Sequence, residues 1–405
     1  MFKNQEITEG IYYVGINDRQ KHKFENMIPI PDGVSYNAFL IVDEKTALVD
    51  TVEVQFGDVF INKIQSQLAD KTLDFVIINH MEPDHSGSIR LLRQYYPDVV
   101  IVGNSKTLSM VEGFYGVTDK TLEIKDAEVL SLGKHQLQFY LTPMVHWPET
   151  MMTYETTQKV LFSGDAFGAF GTLNGNVIDE NIDIEPFWDS TALYYSNIVG
   201  KYGNPVQKAL LKLSPLDIKY ICSTHGPVWK KYIPQIIDKY DQYSLYHGED
   251  GVVIVYGSMY GNTELMAEIV AQGLSEAGVN KIIIHNASKS DSTIIIRDIF
   301  KYKGLIVGSP TYCNELYPDI DSLLRKIEIR GIKNRVFGSF GSYTWAGVAI
   351  KRLTTFVETM KWTAAELNVE EKQGLKKDKY EECLELGHQV AELMKNHVDD
   401  LPHCV

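Results

Sequence analysis

Residues 79–87 read Asn-His-Met-Glu-Pro-Asp-His-Ser-Gly, so four ionisable side chains, His80, Glu82, Asp84 and His85, fall within six residues. They follow directly on the apolar run 74–79 (DFVIIN), which has the length and character of a strand buried on both faces. A loop at the C-terminal end of such a strand turns its side chains into the crevice where open α/β sheets place their sites. Four clustered ionisable groups repel one another or are costly to bury, and a pair of divalent cations removes that difficulty. Three further ligand types stand just past short apolar runs: His146 in 142–147 (TPMVHW), Asp165 in 161–165 (LFSGD) and His225 in 220–226 (YICSTHG). Any one of the seven is equally well a solvated loop or turn residue. The order HxExDH…H…D…H, taken whole, requires a common explanation.

That cluster sits in a mixed α/β context. Two apolar runs separated by Asp43-Glu44-Lys45 form a hairpin signal over 35–51. Strands are expected at 99–102, 136–141 and 159–162, with a helix over 88–96 after a polar loop. The stretch 186–246 is mostly helical, broken by a strand at 218–224 that ends at His225. Hairpins first, with βα units interleaved, are the pattern of two sheets with helices outside. Near 249–251 the character changes to a regular alternation. Strands are expected at 252–256, 281–285, 304–307 and 335–340, and helices at 263–277, 292–302, 320–328 and 346–359. A last helix over 378–395 packs on the same domain. This predicts a parallel, doubly wound α/β domain. At 405 residues the chain exceeds what one core usually supports, and the domains are placed at 1–250 and 251–405.

The second domain opens with 255–263 (VYGSMYGNT) between a strand and a helix. This loop lacks the lysine of a Walker A motif and is not GxGxxG. Hydroxyls of Ser258 and Thr263, with backbone N–H groups across Met259, Tyr260, Gly261 and Asn262, suit one phosphate better than a pyrophosphate. An ordinary βα turn looks much the same, so two further loops decide. Residues 308–314 (GSPTYCN) contain Pro310, Thr311, Tyr312 and Asn314, and 338–347 (GSFGSYTWAG) contain Ser339, Gly341, Ser342, Tyr343 and Trp345. Both bring glycine, hydroxyls and aromatic rings to the same sheet edge. A planar isoalloxazine needs ring contacts and closely approaching backbone. Tyr312 and Trp345 are the natural rings, with core packing the alternative for each, and the three loops together resemble the FMN-binding loops of flavodoxins.

With these motifs in place, the first 250 residues resemble the metallo-β-lactamase superfamily, an αββα sandwich whose usual motif is HxHxDH with a later His, Asp and His. Here Glu82 replaces the second His. Three carboxylates beside up to four imidazoles make a harder, more negative donor set, which suits iron better than an imidazole-dominated zinc site. Residues 251 to about 400 resemble flavodoxins. The combination resembles the flavodiiron proteins (A-type flavoproteins) over nearly the whole chain, without a fused rubredoxin domain.

The resemblance implies a diiron flavoprotein oxidoreductase that reduces dioxygen to water, nitric oxide to nitrous oxide, or both. It implies FMN and two iron ions, one held by His80, Glu82 and His146, the other by Asp84, His85 and His225, with Asp165 bridging. In some relatives the residue matching His85 turns away from the metal. Tyr195 resembles a tyrosine of the family that donates a hydrogen bond to a bound oxygen species, with Tyr194 or simple packing as alternatives. The resemblance further implies a head-to-tail homodimer or a dimer of dimers, the FMN of one subunit beside the irons of the other. Electrons are expected from a separate donor such as rubredoxin or a reduced deazaflavin. The competing expectation is a zinc-dependent hydrolase with an accessory flavodoxin-like domain; Glu82 and the complete set of flavin loops count against it.

Composition adds exclusions. A formal net charge of −14 argues against nucleic acid, whose phosphates need clustered Lys and Arg. The four cysteines, Cys222, Cys313, Cys383 and Cys404, form no CxxC pair, as expected of a reducing cytoplasm. No apolar run approaches the length of a membrane span, and residues 1–11 contain no signal-peptide core.

Overall fold

The computed structural model describes residues 3–397, so Cys404 lies outside the described residues. These residues divide into two compact units between Asp241 and Gln242, within the helix Ile233–Ser244.

Short apolar runs cut by turn residues fold the first unit into two main sheets. One has the order Gln5–Thr8, Ile11–Tyr13, Phe39–Val42, Thr46–Val49, Phe75–Ile77, Val100–Gly103, Thr121–Glu123. Its pairing is antiparallel as far as Thr46–Val49 and parallel beyond it. The other runs Val129–Ser131, Gln136–Leu141, Met151–Glu155, Val160–Gly164, Tyr220–Ser223, with only the last pair parallel. Met151–Glu155 and Val160–Gly164 are buried at every residue, the charged Glu155 with His135 as its partner. Phe39 of the first sheet and Phe162 of the second meet with ring centroids 5.4 Å apart, so the two inner faces share one core. Amphipathic helices complete the αββα sandwich; Gly57–Leu68, for instance, buries Phe60, Ile61, Ile64 and Leu68.

The second unit is one parallel sheet in the order Ile282–Asn286, Glu249–Tyr256, Tyr302–Pro310, Val336–Tyr343, Thr363–Lys372. In chain order this is 2-1-3-4-5, the flavodoxin-like arrangement of a doubly wound sheet. One face packs Val252, Ile254, Ile306 and Val336 against Met266, Val270 and Leu274 of the helix Asn262–Glu276, and against Cys383, Leu386 and Val390 of the helix Lys377–Asn396. Burying each such side chain contributes about 1.5–3 kcal/mol. The sequence reading lacked the fifth strand, Thr363–Lys372. Its residues TAAELNVEEK bury only Ala365, Val369 and Glu371, so an edge strand in water reads as a polar segment. The strand order reverses between Glu249–Tyr256 and Tyr302–Pro310, which opens a crevice at their C-terminal ends.

Candidate functional site

The seven expected metal ligands lie together at strand ends drawn from both sheets of the first unit. His80, Glu82, Asp84 and His85 follow Phe75–Ile77 of one sheet. Asp165 and His225 follow Val160–Gly164 and Tyr220–Ser223 of the other, and His146 lies between Gln136–Leu141 and Met151–Glu155. The motif is not the open loop expected from its polarity. Pro83–Ser86 forms one helical turn with Pro83 at its start, where a fixed φ and a missing N–H are favourable. Asp84 and His85 are buried by that turn.

Two clusters result. In the first, Glu82 Oε2 lies 3.3 Å from His80 Nε2 and 3.4 Å from His146 Nε2, while Asp165 Oδ2 lies 3.0 Å from His146 Nε2 and 3.5 Å from His80 Nε2. In the second, Asp84 Oδ2 lies 3.2 Å from His85 Nε2 and 3.3 Å from His225 Nε2, and the two Nε2 atoms are 3.0 Å apart. Asp165 Oδ1 is 3.0 Å from His85 Nε2, so the two oxygens of this one carboxylate face one cluster each. Donor atoms about 2.1 Å from a common ion, at angles of about 90–110°, stand about 3.0–3.4 Å from one another. Neither buried oxygen of Asp84 has a hydrogen-bond donor among the described residues, an orphaned charge that a cation satisfies. The donor set therefore fits two metal ions.

The electrostatics agree. Burial opposes charge on His80, but Asp165, Glu149 and Glu82 outweigh it and hold the imidazole well above its ordinary range. Against the same burial, Asp84 and Asp165 push His85 up to about 9. Burial also works against ionisation of Asp165, yet His85 and His80 keep its carboxyl well below the usual range. The pocket draws in positive charge, as protons or as metal.

Neighbouring groups pin the ligands. His80 Nδ1 meets Glu149 Oε1 at 2.8 Å, His225 Nδ1 meets the Ser35 carbonyl at 2.8 Å, and the Thr224 hydroxyl donates to Asp165 Oδ1 at 2.5 Å. Asn79, beside His80, donates from its backbone and side chain to Asp50 at 2.8 and 3.0 Å. Gly226, next to His225, has φ +75°, and a Cβ there would stand 3.0 Å from the Ala169 carbonyl oxygen. Only glycine fits that turn without displacing the strand end. Glu25, at the tip of the hairpin Lys23–Phe24/Ile28–Pro29, interacts with Glu82; burial, then the charge of Glu82, raises its pKa. Neither Glu149 nor Glu25 was foreseen, since a lone glutamate outside a motif carries no signal of its own.

Tyr195 is buried and packs edge-on against Tyr240 with centroids 4.9 Å apart. Tyr194 is the tyrosine set against the cluster, its ring 5.5 Å from that of His225 and its hydroxyl buried without a hydrogen-bond partner among the described residues. Burial and then Asp165 push the Tyr194 phenol far up, so it keeps its proton. The α-helix Glu185–Tyr194 passes at this point into a wider π-type turn, Tyr195–Val199, and both tyrosines are buried.

In the second unit a cavity of about 230 Å³ opens at the crevice. Ser258, Met259, Tyr260, Asn262, Thr263, Pro310, Thr311, Ser342 and Tyr343 line it, joined by Thr344, Gln373 and Gly374, which the sequence reading did not include. Gly261 has φ +89° and caps the 15-residue helix Asn262–Glu276, whose first N–H groups lack intrahelical acceptors. Thr263 Oγ1 and Ser342 Oγ are 3.0 Å apart, closing the first loop on the third. Thr311 Oγ1 accepts from the N–H groups of Val348 and Ala349 at 2.9 and 3.2 Å, tying the second loop to the third. Asn262 donates to the Gln373 carbonyl at 2.8 Å, which explains why the 373–374 turn joins the wall. The cavity lining does not include Gly261, Tyr312, Asn314, Ser339, Gly341 or Trp345. Ser339 is fully buried and donates to Asn368 Oδ1 at 2.5 Å, and a Cβ at Gly341 would lie 2.6 Å from the Ser309 carbonyl oxygen. Tyr312 and Trp345 are exposed instead, Trp345 at 83%. A hydroxyl-rich loop over a helix N-terminus, flanked by rings, fits a flavin monophosphate.

Comparison with known proteins agrees with both halves. Residues 34–226 match the ODP family beta lactamase and residues 254–387 match flavodoxin. The chain is 33% identical over 396 residues to the anaerobic nitric oxide reductase flavorubredoxin of Vibrio vulnificus, covering 96% of this chain and 79% of that protein. Among solved structures, the rubredoxin oxygen:oxidoreductase of Desulfovibrio gigas superposes with a TM-score of 0.93 at 28% identity, covering 98% of this chain and 99% of the other. The flavodiiron protein of Giardia intestinalis also gives 0.93, at 26% identity and 98% coverage of each chain.

Proposed function

The chain belongs to the flavodiiron protein family, oxidoreductases with FMN and a diiron centre, and on that footing we propose that it reduces dioxygen to water, nitric oxide to nitrous oxide, or both. The observation that carries this reading is Asp165, whose two oxygens each face a separate cluster of buried ligands. His80, Glu82 and His146 would hold one iron and Asp84, His85 and His225 the other, with an oxygen of Asp165 offered to each. FMN would be held by Ser258–Thr263, Pro310–Thr311 and Ser342–Thr344 with the 373–374 turn, so the metal centre belongs to residues 1–250 and the flavin to 251–405.

When bound, the iron pair supplies two one-electron reductants at one place, and FMN relays electrons one or two at a time. The chain's own groups do the rest. Phe24, Tyr36 and Tyr194 set their rings 5.3, 5.9 and 5.5 Å from that of His225, an aromatic collar that keeps bulk water from the second cluster. The protonated Tyr194 hydroxyl is a hydrogen-bond donor for an oxygen-bearing diatomic. Electrons come from an external donor, rubredoxin or a reduced deazaflavin, and a head-to-tail dimer brings the FMN of one subunit beside the irons of the other. The unpaired Cys222, Cys313 and Cys383 support action in the cytoplasm. A zinc hydrolase is disfavoured by Glu82, which makes the first cluster carboxylate-rich.

The test is anoxic purification with iron, zinc and FMN measured per chain, followed by turnover with reduced donor and either gas. About two irons, one FMN and consumption of dioxygen or nitric oxide are expected. Zinc in place of iron, or no consumption of either gas by iron-loaded protein, would overturn the reading.

A further inference from the structure

The two ligand clusters match in their inner atoms and differ in what stands behind them. Each has its own carboxylate, Glu82 or Asp84, two imidazoles, and one oxygen of Asp165. Behind His80, Nδ1 meets Oε1 of Glu149 at 2.8 Å, and the same oxygen accepts from the Met81 N–H at 3.0 Å. Glu149 is 1% exposed, and its Oε2 is buried with no hydrogen-bond partner among the described residues. Among the described residues, no carboxylate hydrogen-bonds an imidazole of the second cluster from behind. His225 Nδ1 donates to the neutral Ser35 carbonyl, and His85 Nδ1 is buried without a partner among the described residues. Asp50 is the charged neighbour of His85, but both its oxygens accept from Asn79, so it acts on His85 through charge and not through a hydrogen bond. Asp165 enlarges the difference, because Thr224 donates at 2.5 Å to Oδ1, the oxygen that faces the second cluster, and so draws electron density from it.

We propose that Glu149 makes the two iron sites unequal, strengthening His80 as a donor so that the iron of the His80–Glu82–His146 cluster is held more tightly and reduced at lower potential than its neighbour. With the metal on Nε2, the Nδ1 proton is donated to Glu149. An imidazole held in this way by a carboxylate gains anionic character and favours the higher charge on its metal. Two ferric ions become ferrous as one flavin hydroquinone becomes the quinone, releasing its protons. The first electron goes to the Asp84–His85–His225 site and the second to the Glu149-backed site. Glu149 is thus a positioning residue that sets the order of reduction; the inference rests on the ligand assignment above.

Glu149→Gln keeps an acceptor for both N–H groups and removes the charge, while Glu149→Ala removes both. The test uses the iron-loaded, FMN-containing protein, with chelator release, EPR-followed redox titration and Mössbauer spectra. Glu149→Ala should weaken one iron of the two by about 10- to 100-fold, leaving the other iron and the FMN content unchanged. Glu149→Gln should keep both irons but raise the lower of the two iron potentials, so that the half-reduced form accumulates about twofold less. If Glu149→Gln left both potentials and the half-reduced yield unchanged, the proposal would be overturned even where Glu149→Ala fails to fold. Fewer than two irons in the unaltered protein would overturn the ligand assignment instead.

Discussion

The metal unit and the flavin unit solve opposite problems with the same device of loops at strand ends. The candidate metal ligands are buried, and three of the seven are held from behind by a second group: His80 by Glu149, His225 by the Ser35 carbonyl, Asp165 by Thr224. The flavin loops are tied to one another by hydroxyls while their rings face water, Tyr260 at 95% exposure and Trp345 at 83%. A buried cluster of charge is tolerable only with a cation, so its geometry must exist before the ion arrives. A flavin brings its own apolar surface and must exchange electrons with groups outside the loop, so its cradle is shallow. One site is built for enclosure and the other for contact.

The sharpest way to break the contrast is Asp165→Ala, because that carboxylate serves both clusters. Losing a buried charged partner costs about 3–5 kcal/mol, or about 100- to 5000-fold in metal affinity. Iron should fall from about two per chain to near none while FMN stays at about one. Metal analysis beside the flavin absorbance decides it, and parallel loss of both cofactors would mean that the units are not independent.

The pH response should separate the units next. In metal-free protein His85 is raised from 6.5 to about 9. The stabilisation from its proton is therefore fully present below about pH 6.5 and lost as pH rises through about 9. The unfolding midpoint of metal-free protein should fall between pH 7 and pH 9.5, whereas iron loading, which displaces that proton, should flatten the curve. A midpoint that rises over this window would show that His85 is not held by Asp84 and Asp165.

The smallest effect is expected at Thr263. Thr263→Val removes the hydroxyl that meets Ser342 and faces the cavity, which should weaken FMN by about 1.5 kcal/mol, about tenfold in Kd, with iron content unchanged. Flavin binding titrated into apoprotein reads it, and unchanged affinity would remove Thr263 from the phosphate cradle.

Much of this was legible before any coordinates. The metal ligand types crowd into 80–85 and recur at the ends of apolar runs, and alternating strands and helices announce the second unit. What escaped notice did so for physical reasons. Glu149 acts through His80, and nothing in Pro148-Glu149-Thr150 marks a buried carboxylate. Tyr194 and Tyr195 are adjacent, chemically identical and both buried, so the sequence alone does not separate them. Thr363–Lys372 is an edge strand, and with it went the Gln373-Gly374 wall of the flavin cavity. Ser339 and Gly341 share the composition of a cofactor loop but belong to sheet interior, where small residues let neighbouring strands approach.

The metal ligands come from two different sheets, four from one and three from the other, and this has a mechanical consequence. Ions held by these residues would tie the halves of the sandwich together, so the free energy of metal binding would also be free energy of folding. A chain that has taken up its metals is thereby marked as finished. One that has not lacks this tie, and limited proteolysis with and without bound metal would read the difference without reading any activity.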